Sequence, residues 1–300
     1  MLDRYHIGEH TRQSPEAEVP LIEQIRIDDR LGGAGNVAYN LKSLELNPIL
    51  ISVIGADKEG EIIEQLCKDK FDTFHLLTLS DRPSTLKSRI VNQEFNQFLR
   101  LDREITLDLS LPNQQTIKLW ITEALKTHSI SALVIQDYNK GLLTFEVISF
   151  LQKLCLEYNI PLIVDPKKNH FILLSNCNVF KPNLKELSQA VGYKVLPQKE
   201  DILLAINELD LNKAQYIVVT LAENGIFYFD KESGEYGVVK GQKIDSPDVS
   251  GAGDTVLSTL VRTMVDGQSI QQMAETANMA GAIVCRKKGI EVVHLNELNP

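Results

Sequence analysis

The most constraining feature of this 300-residue chain is the sequence Asp-Val-Ser-Gly-Ala-Gly-Asp-Thr at positions 248–255, which opens an amphipathic helix. Apolar residues follow Asp254 at helical spacing and predict a buried face: Val256, Leu257, Leu260, Val261, Met264 and Val265. The small residues at 251–253 let a ligand approach bare backbone amides at the positive end of the helix dipole. Such a helix start suits a phosphate or another oxyanion.

Asp254 is a carboxylate in the middle of this anion site. An acid near a helix N-terminus can be a simple cap, but Gly251 and Gly253 around Ala252 exceed what capping requires. The functional interpretation makes Asp254 a general base that takes a proton from an acceptor hydroxyl. The amides of Ala252 and Gly253 would then stabilise charge on a transferring phosphoryl group.

Composition restricts the class of protein. The chain has 31 Lys and Arg against 40 Asp and Glu, and its net charge of −9 argues against a broad nucleic-acid surface. Apolar runs fall short of the roughly 18 residues that span a membrane, and no signal peptide is visible, so we expect no membrane partner. The four cysteines lack metal-finger spacing and predict reduced thiols in a cytoplasmic protein.

Apolar runs and helical patterns alternate along most of the chain. Strands are predicted at 48–54, 132–135, 161–164, 179–180, 216–220 and 226–229, and helices at 36–45, 59–70, 144–158, 183–191, 199–209, 254–266 and 269–286. This alternation predicts an α/β fold with a doubly wound, mainly parallel sheet flanked by helices. Asp137, Asp165, Asn183 and Thr220 follow strand runs, at the sheet edge where such folds bind ligands. Residues 16–31 and 76–102 break the pattern and predict an antiparallel excursion.

The motifs resemble those of the ribokinase-like (PfkB) family of sugar and nucleoside kinases. That family's signature Asp-x-Thr/Ser-Gly-Ala-Gly-Asp matches residues 248–254, and a second signature matches 32–38 and 55–60. Further motifs occur in order and are similar to the kinase domain of heptose 7-phosphate kinase / ADP-heptose synthase proteins, over nearly the whole chain: Leu2-Asp3-Arg4-Tyr5, Ser14-Pro15-Glu16-Ala17, Thr85-x-Lys87-x-Arg89, Arg100-Leu101-Asp102, Asp137-Tyr138-x-Lys140-Gly141, Asp165-Pro166-Lys167 and Pro182-Asn183-Leu184-x-Glu186.

The resemblance implies one kinase domain over residues 1–300 with a ribokinase-like fold. A small β-sheet lid from about 10–32 and 76–104 would cover the sugar and form a homodimer contact. The implied reaction transfers the γ-phosphate of ATP, with Mg²⁺, to the anomeric hydroxyl of D-glycero-D-manno-heptose 7-phosphate. The chain contains no His-x-Gly-His motif, so no nucleotidyltransferase domain is expected in it.

The resemblance assigns sugar contacts to Asp3, Gly32, Gly33, Asn36 and Asp137. It assigns the sugar phosphate to cations among Lys87, Arg89, Arg100, Lys140 and Lys167. For Lys87, Arg89 and Arg100, a solvated strand face is an equally good interpretation. The spacing of Gly33, Gly35 and Ala38 also fits the dinucleotide fingerprint, although Asp28-Asp29-Arg30 before it makes a poor end for a buried strand.

On the nucleotide side, the resemblance assigns Thr220, Gly225, Asp248 and Asn278, and it places Asn183 and Glu186 near Mg²⁺, mainly through water. Magnesium prefers oxygen ligands and usually keeps several of its bound waters, so an amide and a carboxylate are suitable donors. The spacing of Asn183 and Glu186 equally fits a capping box, and Asn278 fits a helix-surface amide. A monovalent cation is possible near Gly289, although Ile290 stands where a threonine is common in the family.

In the resembling family a hydrophobic strand ending in Gly-Asp precedes the residues that match Leu2-Asp3-Arg4-Tyr5. We therefore expect a weakened sheet here and frayed residues 1–5. Three rival functions remain: another PfkB-type sugar or nucleoside kinase, a non-catalytic sugar- or nucleotide-binding remnant, and a nicotinamide-dependent oxidoreductase.

Overall fold

The computed structural model describes residues 1–245 and 247–298. Its strands are β1 (Leu2–Gln13), β2 (Pro20–Leu31), β3 (Ile49–Gly55), β4 (Thr73–Leu79), β5 (Leu86–Val91), β6 (Gln97–Arg103), β7 (Leu133–Gln136), β8 (Leu162–Asp165), β9 (Val179–Phe180), β10 (Tyr216–Thr220), β11 (Gly225–Asp230) and β12 (Tyr236–Lys240). Its α-helices are α1 (Ala34–Ser43), α2 (Lys58–Lys70), α3 (Leu111–Thr127), α4 (Phe145–Tyr158), α5 (Leu184–Val191), α6 (Lys199–Glu208), α7 (Ala252–Val265), α8 (Ile270–Val284) and α9 (Leu295–Leu298).

The main sheet has the order β12-β11-β10-β9-β8-β7. Strands β7 to β10 are parallel, and β11 and β12 add antiparallel pairs at one edge. Every residue of β8 is buried, since helices cover both faces of the sheet. Apolar side chains of α4, α5 and α6 form one core layer, and those of α1, α7 and α8 form the other. The predicted doubly wound α/β fold is confirmed.

The sheet is interrupted between β3 and β7. Strands β3 and β4 form a separate parallel pair, and a cavity of about 530 Å³ lies between them and β7. Residues 48–54 and 130–137 line opposite sides of this cavity, and Met1 lies at its rim. Burial lowers the pKa of the Met1 ammonium. Two strand edges therefore face this cavity, and the expected weakening of the sheet stays a prediction.

A second sheet has the order β2-β1-β5-β6 and contains most of the segments predicted to form a lid, so we call it the lid sheet. Strand β1 pairs antiparallel with β2 and parallel with β5, and β5 pairs antiparallel with β6. The expectation of frayed residues 1–5 was wrong, because β1 starts at Leu2 between two neighbouring strands and Leu2, Asp3 and Tyr5 are buried.

The lid boundaries also differ from the prediction. Strand β4, which overlaps the predicted lid segment 76–104, pairs with β3. Helix α3 was not predicted, because it buries few apolar side chains, although Pro112 in its first turn is typical of a helix start. In both cases the pattern of a single segment does not reveal which sheet or face it packs against.

Candidate functional site

The 251–253 turn forms the N-terminus of α7, as predicted. Gly251 is the N-cap residue, and its φ of +77° lies in the left-handed region that favours glycine. A β-carbon on Gly251 would lie 2.8 Å from Nδ2 of Asn36, so a side chain does not fit. At Gly253 the nearest atom to such a β-carbon would be Nζ of Lys181, at 3.9 Å. The first turn of α7 therefore has open space at Gly253 with a cation beside it, whereas the Ala252 amide donates to the Val249 carbonyl at 3.3 Å.

Asp254 is buried in this turn, and two hydrogen-bond donors hold its carboxylate in place. Nδ2 of Asn36 donates to its Oδ2 at 2.8 Å, and the Tyr138 hydroxyl donates to its Oδ1 at 3.2 Å. Burial raises the pKa of Asp254 to about 7, the Asn36 hydrogen bond opposes this rise, and the negative charge of Asp165 adds to it. A carboxyl group with a pKa near neutrality is suited to general-base catalysis.

A buried polar chain fixes the orientation of Asn36. Nδ2 of Asn40 donates to Oδ1 of Asn36 at 3.2 Å, and the Thr255 hydroxyl donates to Oδ1 of Asn40 at 3.0 Å. Asn36 and Asn40 belong to α1, whereas Thr255 follows Asp254 on α7. Because the Asn40 amide is buried and bonded at both ends, it sets which atom of Asn36 faces Asp254.

The predicted sugar-binding residues gather beside Asp254. Asp3 forms a buried ion pair with Arg89. A β-carbon on Gly32 would lie 1.8 Å from Oδ2 of Asp3, and one on Gly33, whose φ is +55°, would lie 3.2 Å from the Tyr138 ring. The glycines thus allow this close approach, and β2 before them is exposed over most of its length, unlike the buried strand of a dinucleotide site.

The other predicted lid cations form a separate charge cluster. Nζ of Lys87 lies 2.9 Å from Oδ2 of Asp102 and 3.6 Å from Oε2 of Glu104. Lys140 pairs with Glu104 at 2.7 Å, and the half-exposed Arg100 pairs with Asp102 at 3.0 Å. Each cation has a carboxylate partner, so a role in binding the sugar phosphate stays a prediction.

The capping-box interpretation describes the observed geometry of Asn183 and Glu186. The Asn183 amide donates to Oε2 of Glu186 at 2.9 Å, and the Glu186 amide donates to Oδ1 of Asn183 at 2.8 Å. Oε1 of Glu186 accepts a hydrogen bond from the Lys167 ammonium. Both carboxylate oxygens are therefore engaged at the start of α5, and their predicted role near magnesium is untested.

Lys181 was missed by the sequence analysis. It is buried and lies 3.0 Å from Oδ2 of Asp165, which also accepts a hydrogen bond from Gln136 at 3.1 Å. Lys181 follows β9 and Asp165 ends β8, so the carboxyl ends of two parallel strands place this ion pair beside Gly253. The sequence signal that could have identified Lys181 is its position directly before the Pro182-Asn183 motif.

Asp137 is buried after β7 and has several hydrogen-bonding partners. Its Oδ1 accepts from the Asn139 amide at 2.7 Å, and its Oδ2 hydrogen bonds Nδ1 of His170 at 2.8 Å and accepts from the Lys167 amide at 3.3 Å. The pair with Asp137 raises the pKa of His170. Asp137 thus holds two loops together, and its assignment to the sugar remains a prediction.

Thr220 and Gly225 lie together on the predicted nucleotide side. The Thr220 amide donates to the Pro182 carbonyl at 3.1 Å, and Thr220 forms a bridge with Asn183. Gly225 has a φ of +99°, and a β-carbon there would lie 2.0 Å from the Val239 carbonyl oxygen. Thr220 therefore lies beside Asn183, and the assignment of Thr220 and Gly225 to the nucleotide stays a prediction.

Asn278 and Asp248 have structural partners. Nδ2 of Asn278 donates to the Lys240 carbonyl at 2.9 Å on a partly exposed helix surface. Asp248 accepts from the amides of Ser250 at 3.0 Å and Gly289 at 2.8 Å, which ties the turn before α7 to the segment after α8. Neither residue's contact with a nucleotide has been tested.

Within residues 1–245 and 247–298, no group of three His, Cys, Asp or Glu side chains is placed to hold a metal ion. Over the same residues, no helix has the length and apolar character needed to cross a membrane.

Comparisons of sequence place the chain among carbohydrate kinases. A family model described as pfkB family carbohydrate kinase matches residues 5–294. The bifunctional protein HldE of Campylobacter curvus is 34% identical over 302 residues, and that of Hyphomonas neptunium is 37% identical over 300 residues. Each alignment covers 99% of this chain but only 62% and 61% of the relative, so the chain spans about three fifths of these relatives' length.

Solved structures support the fold. Phosphofructokinase-2 from Escherichia coli in complex with fructose-6-phosphate matches with a TM-score of 0.79 at 21% identity, over 99% of this chain and 93% of that one. Ribokinase from Giardia lamblia matches with a TM-score of 0.76 at 14% identity, over 99% and 95% of the two chains. At these identities the similarity shows a shared ribokinase-like fold.

Proposed function

The chain belongs to the pfkB family of carbohydrate kinases, and we propose that it transfers the γ-phosphate of ATP to the anomeric hydroxyl of D-glycero-D-manno-heptose 7-phosphate. Membership makes it a phosphotransferase with a sugar hydroxyl as acceptor. The observation that carries the proposal is Asp254, buried in the first turn of α7 with a pKa raised to about 7.

In the proposed reaction, Asp254 takes the proton of the attacking sugar hydroxyl. The O–H bond breaks, the hydroxyl oxygen bonds to the γ-phosphorus, and ADP leaves. The amides of Ala252 and Gly253 stabilise charge on the transferring group, and Ala252 gives up its 3.3 Å hydrogen bond to the Val249 carbonyl to do so. Asn36 keeps the carboxylate aimed at the hydroxyl. Closure of the lid sheet excludes water, which limits hydrolysis of ATP.

We assign the phosphate and metal side to Lys181, Asn183 and Glu186. Magnesium neutralises the phosphates of ATP when bound, and Asn183 and Glu186 offer the oxygen donors it prefers. Because the capping box and Lys167 already engage these donors, contact through water fits them better than direct ligation. A monovalent cation near Gly289 stays part of the proposal and is checked by comparing turnover in K⁺ and Na⁺.

The heptose assignment rests on the ordered motifs that resemble heptose 7-phosphate kinases. Asp3 and Arg89 supply a carboxylate and a guanidinium beside Asp254, which suits a polyhydroxyl sugar that carries a phosphate. The product would feed surface-glycan and lipopolysaccharide-core synthesis. The four free thiols agree with a reducing, cytoplasmic compartment, where we place the activity.

We further propose that the lid sheet forms a homodimer contact. Its exposed apolar side chains lie on β2 and β6: Ile25, Ile27, Phe98, Leu99 and Leu101. A second copy of the chain would cover them. Sedimentation should show a dimer for the wild type and a monomer for Leu101→Lys. Leu119→Lys is the control, because Leu119 on α3 is also 59% exposed and lies outside the lid; an unchanged dimer in Leu101→Lys would contradict this contact.

The experiment that tests the function measures ADP release from ATP and Mg²⁺ with a panel of sugars and nucleosides. The panel includes the heptose 7-phosphate, fructose 6-phosphate and ribose. Asp254-dependent turnover that is greatest with the heptose supports the proposal. Greater turnover with another acceptor keeps the kinase chemistry and overturns the substrate assignment. Absence of Asp254-dependent turnover over the whole panel would favour a non-catalytic binding role.

A further inference from the structure

Arg30, at the end of β2 in the lid sheet, holds a segment near the C-terminus of the chain. Its Nη1 donates to the carbonyls of Lys288 at 3.1 Å and Ile290 at 2.8 Å, and to Oε1 of Glu291 at 2.9 Å. Its Nε and Nη2 donate to Oδ2 of Asp28, on the same strand. One guanidinium therefore joins the lid sheet to residues 288–291. Its planar set of donors bonds Asp28 on one side and residues 288–291 on the other.

Two aromatic rings of the lid hold this guanidinium from other directions. Arg30 lies 5.4 Å from the Tyr5 ring and 5.7 Å from the Phe95 ring, within cation–π range. The Tyr5 hydroxyl accepts from the Ile290 amide at 3.0 Å. Phe95 has a φ of +66°, a left-handed conformation that an aromatic residue rarely adopts and that persists only where packing enforces it.

The same segment contacts the turn that opens α7. The Gly289 amide donates to Oδ2 of Asp248 at 2.8 Å. The side chain of Ile290 packs beside Gly251, because its Cγ2 lies 3.4 Å from where a β-carbon of Gly251 would stand. Residues 289 and 290 thus contact both ends of the 248–251 stretch, just before the amides of the anion site.

We propose that Arg30 is a positioning residue that couples the lid sheet to the anion site of α7 through residues 288–291. The inference rests on the proposed function, because it concerns the geometry of phosphoryl transfer there. In the part of the chain that the structure describes, Arg30 hydrogen bonds neither Asp254 nor the amides of Ala252 and Gly253. It acts by keeping residues 289 and 290 against Asp248 and Gly251 while the lid is in place, so that the sugar-covering sheet and the phosphate-binding turn are ordered together.

The kinetic test compares Arg30→Lys with Arg26→Lys. Lysine keeps the charge but lacks the planar fork that reaches several acceptors. Arg26 lies exposed on the same face of the same strand, away from residues 288–291. We expect kcat to fall about tenfold in Arg30→Lys, with the KM for ATP within about twofold of wild type and no change in Arg26→Lys. Equal kcat values in the two variants would overturn the coupling.

Hydrogen exchange tests the same coupling without any turnover. Peptides that cover 248–255 and 286–293 should exchange faster in Arg30→Lys than in wild type or Arg26→Lys, with helix α4 unchanged as an internal standard. Tyr5→Phe, which removes only the hydroxyl bonded to Ile290, should shift both peptides in the same direction. Unchanged exchange in 248–255 for both variants would overturn the inference even if the kinase proposal holds. Faster exchange would support it even if the heptose assignment fails.

Discussion

Nδ2 of Asn36 donates a 2.8 Å hydrogen bond to Oδ2 of Asp254, across 218 positions of sequence. This bond favours the ionised carboxylate, whereas burial favours the neutral acid, and the balance leaves the pKa of Asp254 near 7. Burial is the larger effect, and a residue of α1, which the Asn40–Thr255 contact holds in place, moderates the strength of the proposed base.

Replacement of Asp254 by Asn should lower kcat about 10³-fold, because an amide cannot take the hydroxyl proton. The KM for ATP should change little, and the variant should fold normally, because it removes a buried charge. Steady-state ADP release and thermal denaturation at pH 8 check this. Asp266→Asn, at the exposed end of the same helix, is the control and should keep full activity. A kcat within a few-fold of wild type would exclude Asp254 as the base.

The dependence of kcat/KM on pH should show the titration of Asp254. The ionised form is active, so kcat/KM should rise with pH through about 7 and level off above it. Asn36→Ala removes a donor that stabilises the anion, so the rising limb should move to higher pH. If the rise of kcat/KM occurs at the same pH in Asn36→Ala as in the wild type, a group other than Asp254 controls the pH dependence.

Lys181 and Asp165 should behave as a coupled buried pair. Lys181→Met leaves the Asp165 carboxylate buried without its cation and should cost about 3–5 kcal/mol of unfolding free energy. Adding Asp165→Asn should restore most of that stability, because the unpaired charge is gone. Urea denaturation of the two single variants and the double variant measures the coupling. Kinase activity should remain low in the double variant, since the cation beside Gly253 is still missing; full recovery would argue against a role for Lys181.

The cavity between β3 and β7 predicts that an added strand stabilises the protein. An engineered extension of six β-branched residues before Met1 would reach along the cavity, at about 3.3 Å per residue, and pair with both edges. We expect the Tm to rise by about 5 °C. A Gly-Ser extension of equal length is the control and should leave the Tm unchanged. An equal Tm for the two fusions would show that the edges do not accept a strand.

Local patterns in the sequence predicted the elements that carry the site. The glycine-rich turn and the apolar spacing after Asp254 predicted a helix from residue 254, close to its observed start at Ala252, because both signals are local. Residues at the carboxyl ends of β7, β8 and β10 were placed correctly, because parallel strands order their ends in one direction. The partnership of Asn36 with Asp254 depends on how two helices pack, which spacing along the chain does not encode.

Other sequence motifs have a spacing that fits two different structural interpretations. Asn183 and Glu186 fit both a capping box and a metal-side pair, and the structure shows the capping box. Lys87 matches a family motif, yet its partner Asp102 is set by cross-strand register between β5 and β6. The contacts of Arg30 with residues 288–291 were not foreseen, because these acceptors lie about 260 residues away in sequence.

The most direct test of the proposed function is the structure of the product. Wild-type protein is incubated with ATP, Mg²⁺ and D-glycero-D-manno-heptose 7-phosphate, and the product is examined by ³¹P and ¹H NMR, with Asp254→Asn in parallel. We expect a second phosphate whose phosphorus couples to the anomeric proton, formed by the wild type and not by the variant. A phosphate on another hydroxyl, or inorganic phosphate alone, would contradict the assignment.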